Sequence, residues 1–296
     1  MKLTALIHFF KEIKNIARSA IGEWFDHRAA SKGAALAFYT LFSIAPILVL
    51  VIAIAGLFYG RQAAQGEILA QLQGLVGAQS AQAIQMVLSG ARDKGQGVWA
   101  TIVATGLLLF GATSVFAELK ASLDEIWQVP PLRQGSFWDT LRTRLLSFGL
   151  VLVLAFLLMV SLVVSALLAI LERYWSGTWH QAIYIFTLLA DLTGFGVIAV
   201  LFAVIFKMLP RVHLSWQDVV IGALGTAALF TLGKYAIGIY IGHSGVANSF
   251  GAAGSMIALL LWVYYSAQIF FLGAEFARQY ALTLGSLRQR PKAGLG

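Results

Sequence analysis

The chain contains no cysteine in its 296 residues. That excludes disulfides, thiolate zinc sites, iron–sulfur clusters and cysteine nucleophiles, and it leaves the redox compartment open. Charge is scarce too. Asp, Glu, Lys and Arg make up 11% of the residues, against about 25% in soluble domains. The 13 acidic residues are scattered one or two per loop, so no carboxylate-rich metal site is apparent. The five histidines, His8, His27, His180, His213 and His243, stand far apart. HExxH, GxSxG and Walker P-loop patterns are missing, and the loop glycines form no dinucleotide fingerprint. Neither a cofactor nor an enzymatic activity is expected from these residues.

What the chain does have is apolar. Hydrophobic residues make up 59% of it, and mean hydropathy is +0.80. A soluble enzyme and an intrinsically disordered chain are both excluded, and the class is a polytopic membrane protein. Six runs approach the ~20 apolar residues that cross ~30 Å of hydrocarbon: Ala34–Tyr59, Val98–Ala117, Leu145–Ile170, Tyr184–Met208, Gln217–Ile241 and Ala253–Phe276. Lipid offers no partner to free backbone groups, so each run should be a helix. The expected fold is an all-α membrane bundle of six transmembrane helices.

The basic residues orient it. Lys2, Lys11, Lys14, Arg18, Arg28 and Lys32 precede the first run. Lys120, Arg133, Arg142 and Arg144 follow the second, Lys207 and Arg211 follow the fourth, and Arg278, Arg288, Arg290 and Lys292 follow the sixth. The opposite side has only Arg61, Arg92, Lys94 and Arg173. The positive-inside rule therefore places both termini in the cytoplasm. Topology and an anionic membrane surface account for the net charge of +8, so nucleic acid is not an expected partner.

Three segments frame the spans. Residues 1–32 lack the compact apolar core and cleavage site of a signal peptide. Leu3, Leu6, Ile7, Phe10, Ile13, Ala17, Ala20, Ile21 and Trp24 instead recur at helical spacing. This predicts an amphipathic interfacial helix, with a helix packed under the bundle as the plainer reading. The six-span domain is placed at 33–277. Within it, residues 61–97 read as a helical hairpin capping the bundle from outside, broken at Gly77. A short helix is expected at Leu119–Trp127, stopped by Pro130 and Pro131. Residues 278–296 read as a cytoplasmic polar tail.

Small residues pack helices in lipid. Gly56/Gly60 and Gly238/Gly242 have GxxxG spacing, Gly222/Gly225 open the fifth run, and Gly251/Gly254 lead into the sixth. Tight packing is the plain reading of these glycines. Pro46, Gly194 and Gly196 are the candidate kink and hinge positions.

Charges inside a membrane are costly and mark candidate sites. Asp191 and Lys234 lie at similar depths in consecutive antiparallel runs, so they can pair. A structural ion pair competes there with a polar transport pathway. Glu275 closes the last run, with Arg278 one turn on as a candidate inner-face partner. Tyr240, His243 and Asn248 form a polar outer end that reads equally as a cavity mouth or a plain loop. Tyr39 and Ser43 are candidates for a polar interior, although Ser in a helix often bonds its own backbone.

The residues also carry a resemblance. The stretch from Ala34 through Phe38-Tyr39-Thr40 to Ser43-Ile44-Ala45-Pro46 resembles the first-span signature of the YihY/virulence factor BrkB family. Ser122-Leu123-Asp124-Glu125-Ile126-Trp127-Gln128-Val129, then Arg133 and Arg144, resembles its first cytoplasmic loop. Pro210, Trp216 and Gly222-Ala223 resemble the start of its fifth span. Gly251, Leu260-Leu261-Trp262-Val263-Tyr264 and Leu272-Gly273-Ala274-Glu275-Phe276 resemble its last. The likeness runs from about Arg18 to Arg278. It implies a bacterial inner-membrane protein with six spans. Members have carried a ribonuclease BN label, which these residues do not support. Others are associated with serum resistance and with export of lipid-linked envelope precursors. Translocation of a lipid or other amphiphile is thus the leading expectation, with an anionic phospholipid or lipid A-type precursor as candidate partner. A non-transporting envelope assembly factor is the alternative. A homo-oligomer or an envelope partner stays open.

Overall fold

The computed structural model describes residues 2–76, 78–92, 114–130, 182–212, 214–243 and 254–288. Every regular element among them is a helix. In chain order these are α1 (Lys2–Asp26), α2 (Ala29–Tyr59), α3 (Arg61–Val76), α4 (Ala78–Arg92), α5 (114–126), α6 (Ala182–Met208), α7 (Trp216–His243) and α8 (Gly254–Thr283).

Among the described residues, three stretches are long and apolar enough to cross a membrane: Leu188–Met208, Trp216–Tyr240 and Gly254–Thr283. They fall on the fourth, fifth and sixth predicted runs. The first predicted run lies within α2, which stays helical through Pro46. The third run, Leu145–Ile170, and most of the second, Val98–Ala117, lie outside the described residues.

The helices pack by identifiable surfaces. α8 is central, with α7 on one side, α2 on another and α1 along its later turns. α7 also packs on α6. Phe202 and Phe206 of α6 reach Phe270 of α8, with ring centroids 6.0 and 5.3 Å apart. Burial of apolar surface does not drive helix association in lipid, so close approach must. The α7–α8 seam achieves this with three glycines. An added Cβ at Gly222 would overlap Ala277, one at Gly233 would overlap Ile269 and Tyr265, and one at Gly273 would overlap Thr226. Of these, Gly222 belongs to a pair the sequence pointed to, whereas Gly233 and Gly273 do not. Nothing lies within 4 Å of a Cβ built at Gly238, Gly194 or Gly196.

α1 ends at an elbow. Arg28 adopts the left-handed conformation (φ 51°) and turns the chain into α2. In the second half of α1, Ile16 and Ala20 are buried. Ile21, which the predicted stripe included, is 48% exposed, and Phe25 is 68% exposed. The helix thus packs on the bundle by one face while its other face keeps apolar side chains free.

α3 and α4 supply the two helices of the predicted hairpin over 61–92, and Gly77, the expected break, lies outside the described residues. Ile68, Ile84 and Leu88 share a core with Leu48 and Ile52 of α2 and Leu259 of α8. α5 buries Leu119, Leu123, Ile126 and Trp127, a helical i, i+4, i+7, i+8 stripe, in the main core. Its described part takes in the end of the second predicted run, residues 114–117, and its end is not made by proline. Gln128 is left-handed (φ 50°). Val129 N–H bonds the Asp124 carbonyl at 2.8 Å and Gln128 N–H bonds that of Glu125 at 2.9 Å. This is a Schellman turn, and Pro130 follows it.

Candidate functional site

The segments predicted to share one membrane side come together at one end of the bundle, here termed the basic end. Side-chain bonds link them in sequence. Lys32 at the start of α2 reaches Glu125 of α5 at 2.7 Å and also donates to the His27 carbonyl. Asp124, next in α5, accepts both the Nε of Arg211 at 2.9 Å and its backbone N–H at 3.1 Å. The 209–215 connection is thereby clamped to α5. Sequence reading did not single out Lys32, Asp124 or Arg211 for this role. Their place in cytoplasmic-side segments was visible, but not their partners.

The most buried acidic or basic side chain among the described residues is Glu275, which is fully buried on α8. Its Oε1 accepts a hydrogen bond from His27 Nδ1 at 2.6 Å. When the carboxyl is ionised it can only accept, and Nδ1 is then the donor. Oε2 has no hydrogen-bond partner. Arg278, the partner suggested by sequence, makes its ion pair with Glu23 of α1 at 3.6 Å. His27 Nδ1 is 3.8 Å from Glu23 as well. The His27 ring thus stands between the Glu23 and Glu275 carboxyl groups, with the Arg278 guanidinium on Glu23, across the α1–α8 boundary. Trp24 adds a bond to the Gln268 carbonyl at 3.3 Å, and Gln268 reaches the Ala29 carbonyl at 3.4 Å. His27 is the member of this cluster that sequence reasoning missed. It lies 248 positions from Glu275, and no periodicity connects them.

Glu23, His27 and Glu275 are the described residues able to offer a metal three ligand atoms within 4.8 Å of one another. The geometry argues for a hydrogen-bonded network. Ligands about 2.1 Å from a tetrahedral zinc stand about 3.4 Å apart, whereas His27 and Glu275 approach to 2.6 Å. Arg278 also supplies positive charge to the same cluster.

The other candidates lie elsewhere. Asp191 is exposed on α6, among Leu188, Leu189 and Leu192. Lys234 is half-buried on α7, with its ammonium 5.1 Å from the Tyr235 ring centroid. The two form no ion pair within 4 Å, and no carboxylate among the described residues pairs with Lys234. Tyr240 is 55% exposed further along α7. Ser43 is buried and donates to the Tyr39 carbonyl at 2.7 Å, within its own helix. Tyr39 and Ser43 belong to α2, which packs on α8, α3 and α4, whereas Asp191 belongs to α6, which packs on α7. Among the described residues, these side chains are not brought together on one shared helix–helix surface. The His243 side chain and Asn248 lie outside the described residues.

Comparison with known proteins places this arrangement in a family. The model for Virulence factor BrkB matches residues 20–294. A UPF0761 membrane protein of Pseudoalteromonas translucida is 25% identical over 279 residues, covering 91% of this chain and 89% of the relative. One from Ralstonia nicotianae is 28% identical over 263 residues, covering 86% of this chain and 55% of the relative. A third, from Tolumonas auensis, is 37% identical over 73 residues, 24% of each chain. None of these names carries an enzymatic activity. No solved structure matches. The chain belongs to the Virulence factor BrkB family and is a membrane protein.

Proposed function

We propose that this BrkB family member moves a lipid or other amphiphile between the leaflets of a bacterial inner membrane, along the flank of α6 and α7. The observation that carries the reading is the pair of intramembrane charges. Asp191 is nine residues after the first residue of α6, and Lys234 is nine before the last of α7. At ~1.5 Å per residue, both sit about 14 Å along antiparallel helices. Opposite charges at one depth, on adjacent helices, stand without an ion pair between them.

A charge held at the centre of a membrane helix costs roughly 2.5–3.5 kcal/mol on insertion scales. Asp191 and Lys234 lie within the outer third of the apolar stretches Leu188–Met208 and Trp216–Tyr240, so each bears part of that cost, and two such charges with no mutual bond suit a transient polar occupant. A head group sliding past would meet Asp191 and Lys234 while its chains remain among Leu188, Leu189 and Leu192. In this reading the basic end faces the cytoplasm and both termini lie there.

The scaffold alternative also has an observation in its favour. The glycine seam between α7 and α8 and the ionic ties at the basic end make that part of the bundle rigid. Lipid movement in proteoliposomes separates the two. Fluorescent lipid should cross with wild-type protein, and Asp191→Asn and Lys234→Met should each slow it at least tenfold while folding normally. Absence of movement for all head groups tried, with or without an ion gradient, would discard translocation in favour of the scaffold. Movement indifferent to both substitutions would keep transport but remove this flank from the path.

A further inference from the structure

A cavity of about 740 Å3 opens at the basic end, between the first turn of α7 and the turn after α8. Its walls include Trp216, Asp218, Val220, Ile221, Tyr280 and Ser286. The apolar stretch of α7 starts at Trp216 and that of α8 ends at Thr283. The cavity therefore sits where hydrocarbon gives way to water, the level that Trp and Tyr favour.

Its chemistry runs against its surroundings. Among the described residues no Lys or Arg lines it, and one carboxylate does. Asp218 is only 3% exposed. Ser215 caps α7 by accepting the Asp218 N–H at 3.3 Å. In a capping box the acidic side chain would fold back onto the cap residue's own N–H. Asp218 turns to Ser286 instead, where Oδ2 accepts the backbone N–H at 3.1 Å and the hydroxyl at 2.5 Å. Oδ1 has only a 3.4 Å contact with that same N–H, so it retains acceptor capacity.

A carboxylate beside two aromatic rings is an arrangement that receives an ammonium group. The oxygen accepts its N–H, and the rings attract its charge. Lys207 stands 5.3 Å from the Trp216 ring centroid, which puts a positive charge beside the same wall. From the cavity an apolar stripe runs into the span. Trp216, Val220 and Leu224 are 59%, 42% and 45% exposed, and successive members are four residues apart on one helix face.

We propose that this cavity binds the head group of a phospholipid bearing a primary amine. The ammonium docks on Asp218 between Trp216 and Tyr280, the phosphate turns toward Lys207, and an acyl chain follows Val220 and Leu224. The assignment rests on the membrane reading of the bundle, not on translocation, so failure of the transport assay leaves it standing.

The test is native mass spectrometry of the full chain released from nanodiscs holding phosphatidylethanolamine, phosphatidylcholine and phosphatidylglycerol in equal amounts. Wild type should retain the ethanolamine lipid preferentially, because choline has no N–H to donate and glycerol no positive charge. Asp218→Asn keeps an acceptor for Ser286 but removes the charge, and should lower that preference about tenfold. Trp216→Leu, at an exposed position, should lower it about threefold. A preference for phosphatidylglycerol, or equal retention by wild type and both variants, overturns the proposal. So does displacement of the lipid by free phosphoethanolamine at comparable concentration, which would make the ligand a soluble amine.

Discussion

Replacing His27 by Leu should be among the most damaging single changes in this protein, and the structure sets its size. Glu275 is fully buried, and one of its oxygens already lacks a hydrogen-bond partner. His27 supplies the other oxygen's bond at 2.6 Å. Leu keeps much of the side-chain volume but leaves the carboxylate with no donor. Removing one partner of a buried pair costs roughly 3–5 kcal/mol. Arg278 lies one turn from Glu275 on α8 and partly offsets the stranded charge, so the lower end, about 3 kcal/mol, is expected. Glu275→Gln in the wild-type background trades a charged bond for a neutral one, at about 1 kcal/mol. The double variant has no stranded charge and should lose about 2 kcal/mol, giving a coupling near 2 kcal/mol. Reversible unfolding in mixed micelles, with all four proteins in one detergent, measures the cycle. A His27→Leu loss below about 0.5 kcal/mol, the size of an ordinary surface change, would refute the buried network. So would additive losses in the double variant.

Two further outcomes follow from the packing and from the clamp on the 209–215 connection. Gly273→Ala should destabilise by about 1–3 kcal/mol, because its Cβ would overlap the rigid Cβ of Thr226 across the seam. Gly238→Ala, with open space around its Cβ, should be neutral or stabilising by up to about 1 kcal/mol; thermal unfolding of the two variants side by side checks the contrast. Asp124→Ala should free both the Arg211 guanidinium and its backbone N–H at a cost of about 2 kcal/mol. Limited proteolysis at the Arg211 bond should then accelerate, and an unchanged cleavage rate would mean the clamp does not hold the connection.

Helices were legible where composition decides them. Runs of apolar residues with almost no charge located α2, α6, α7 and α8, since lipid permits little else. The hairpin of α3 and α4 was readable from its two short stripes and the break between them. Pairing was not readable. Glu275 has a basic neighbour at helical spacing, Arg278, which made that pair the obvious inference. The fold instead brings His27 to Glu275 and gives Arg278 to Glu23, because α1 lies along the last turns of α8. The glycines show the same limit. Spacing drew attention to Gly238 with Gly242 and to Gly194 with Gly196, but packing depends on which helix face meets a neighbour. Gly233 and Gly273 acquire their role only once α7 and α8 are seen against each other. Asp218 went unnoticed because its Ser215-x-x-Asp218 pattern has a local explanation in helix capping, which the side chain then does not follow.

Rigidity and freedom are unevenly distributed along the bundle, and this bears on how any transport cycle would run. At the basic end, α1, α2, α5, the 209–215 connection and α8 are tied by His27–Glu275, Glu23–Arg278, Lys32–Glu125 and Asp124–Arg211. Along α7 and α8, Gly222, Gly233 and Gly273 leave no room for sliding. The early part of α6 is different. Asp191 has no ion pair there, Leu188 and Leu192 are well exposed, and a Cβ at Gly194 or Gly196 would meet nothing. From Phe195 onward α6 packs against the main core, anchored most deeply by Phe202 and Phe206. A bend between the free and anchored parts would fall on Gly194 and Gly196, where helix-breaking residues cost least in neighbouring contacts. Such a bend would move Asp191 relative to Lys234 while the seam and the basic end stayed fixed. Of the two charges proposed to meet the head group, Asp191 is thus on a stretch whose packing leaves it free to move, while Lys234 stays with the seam beside Gly233.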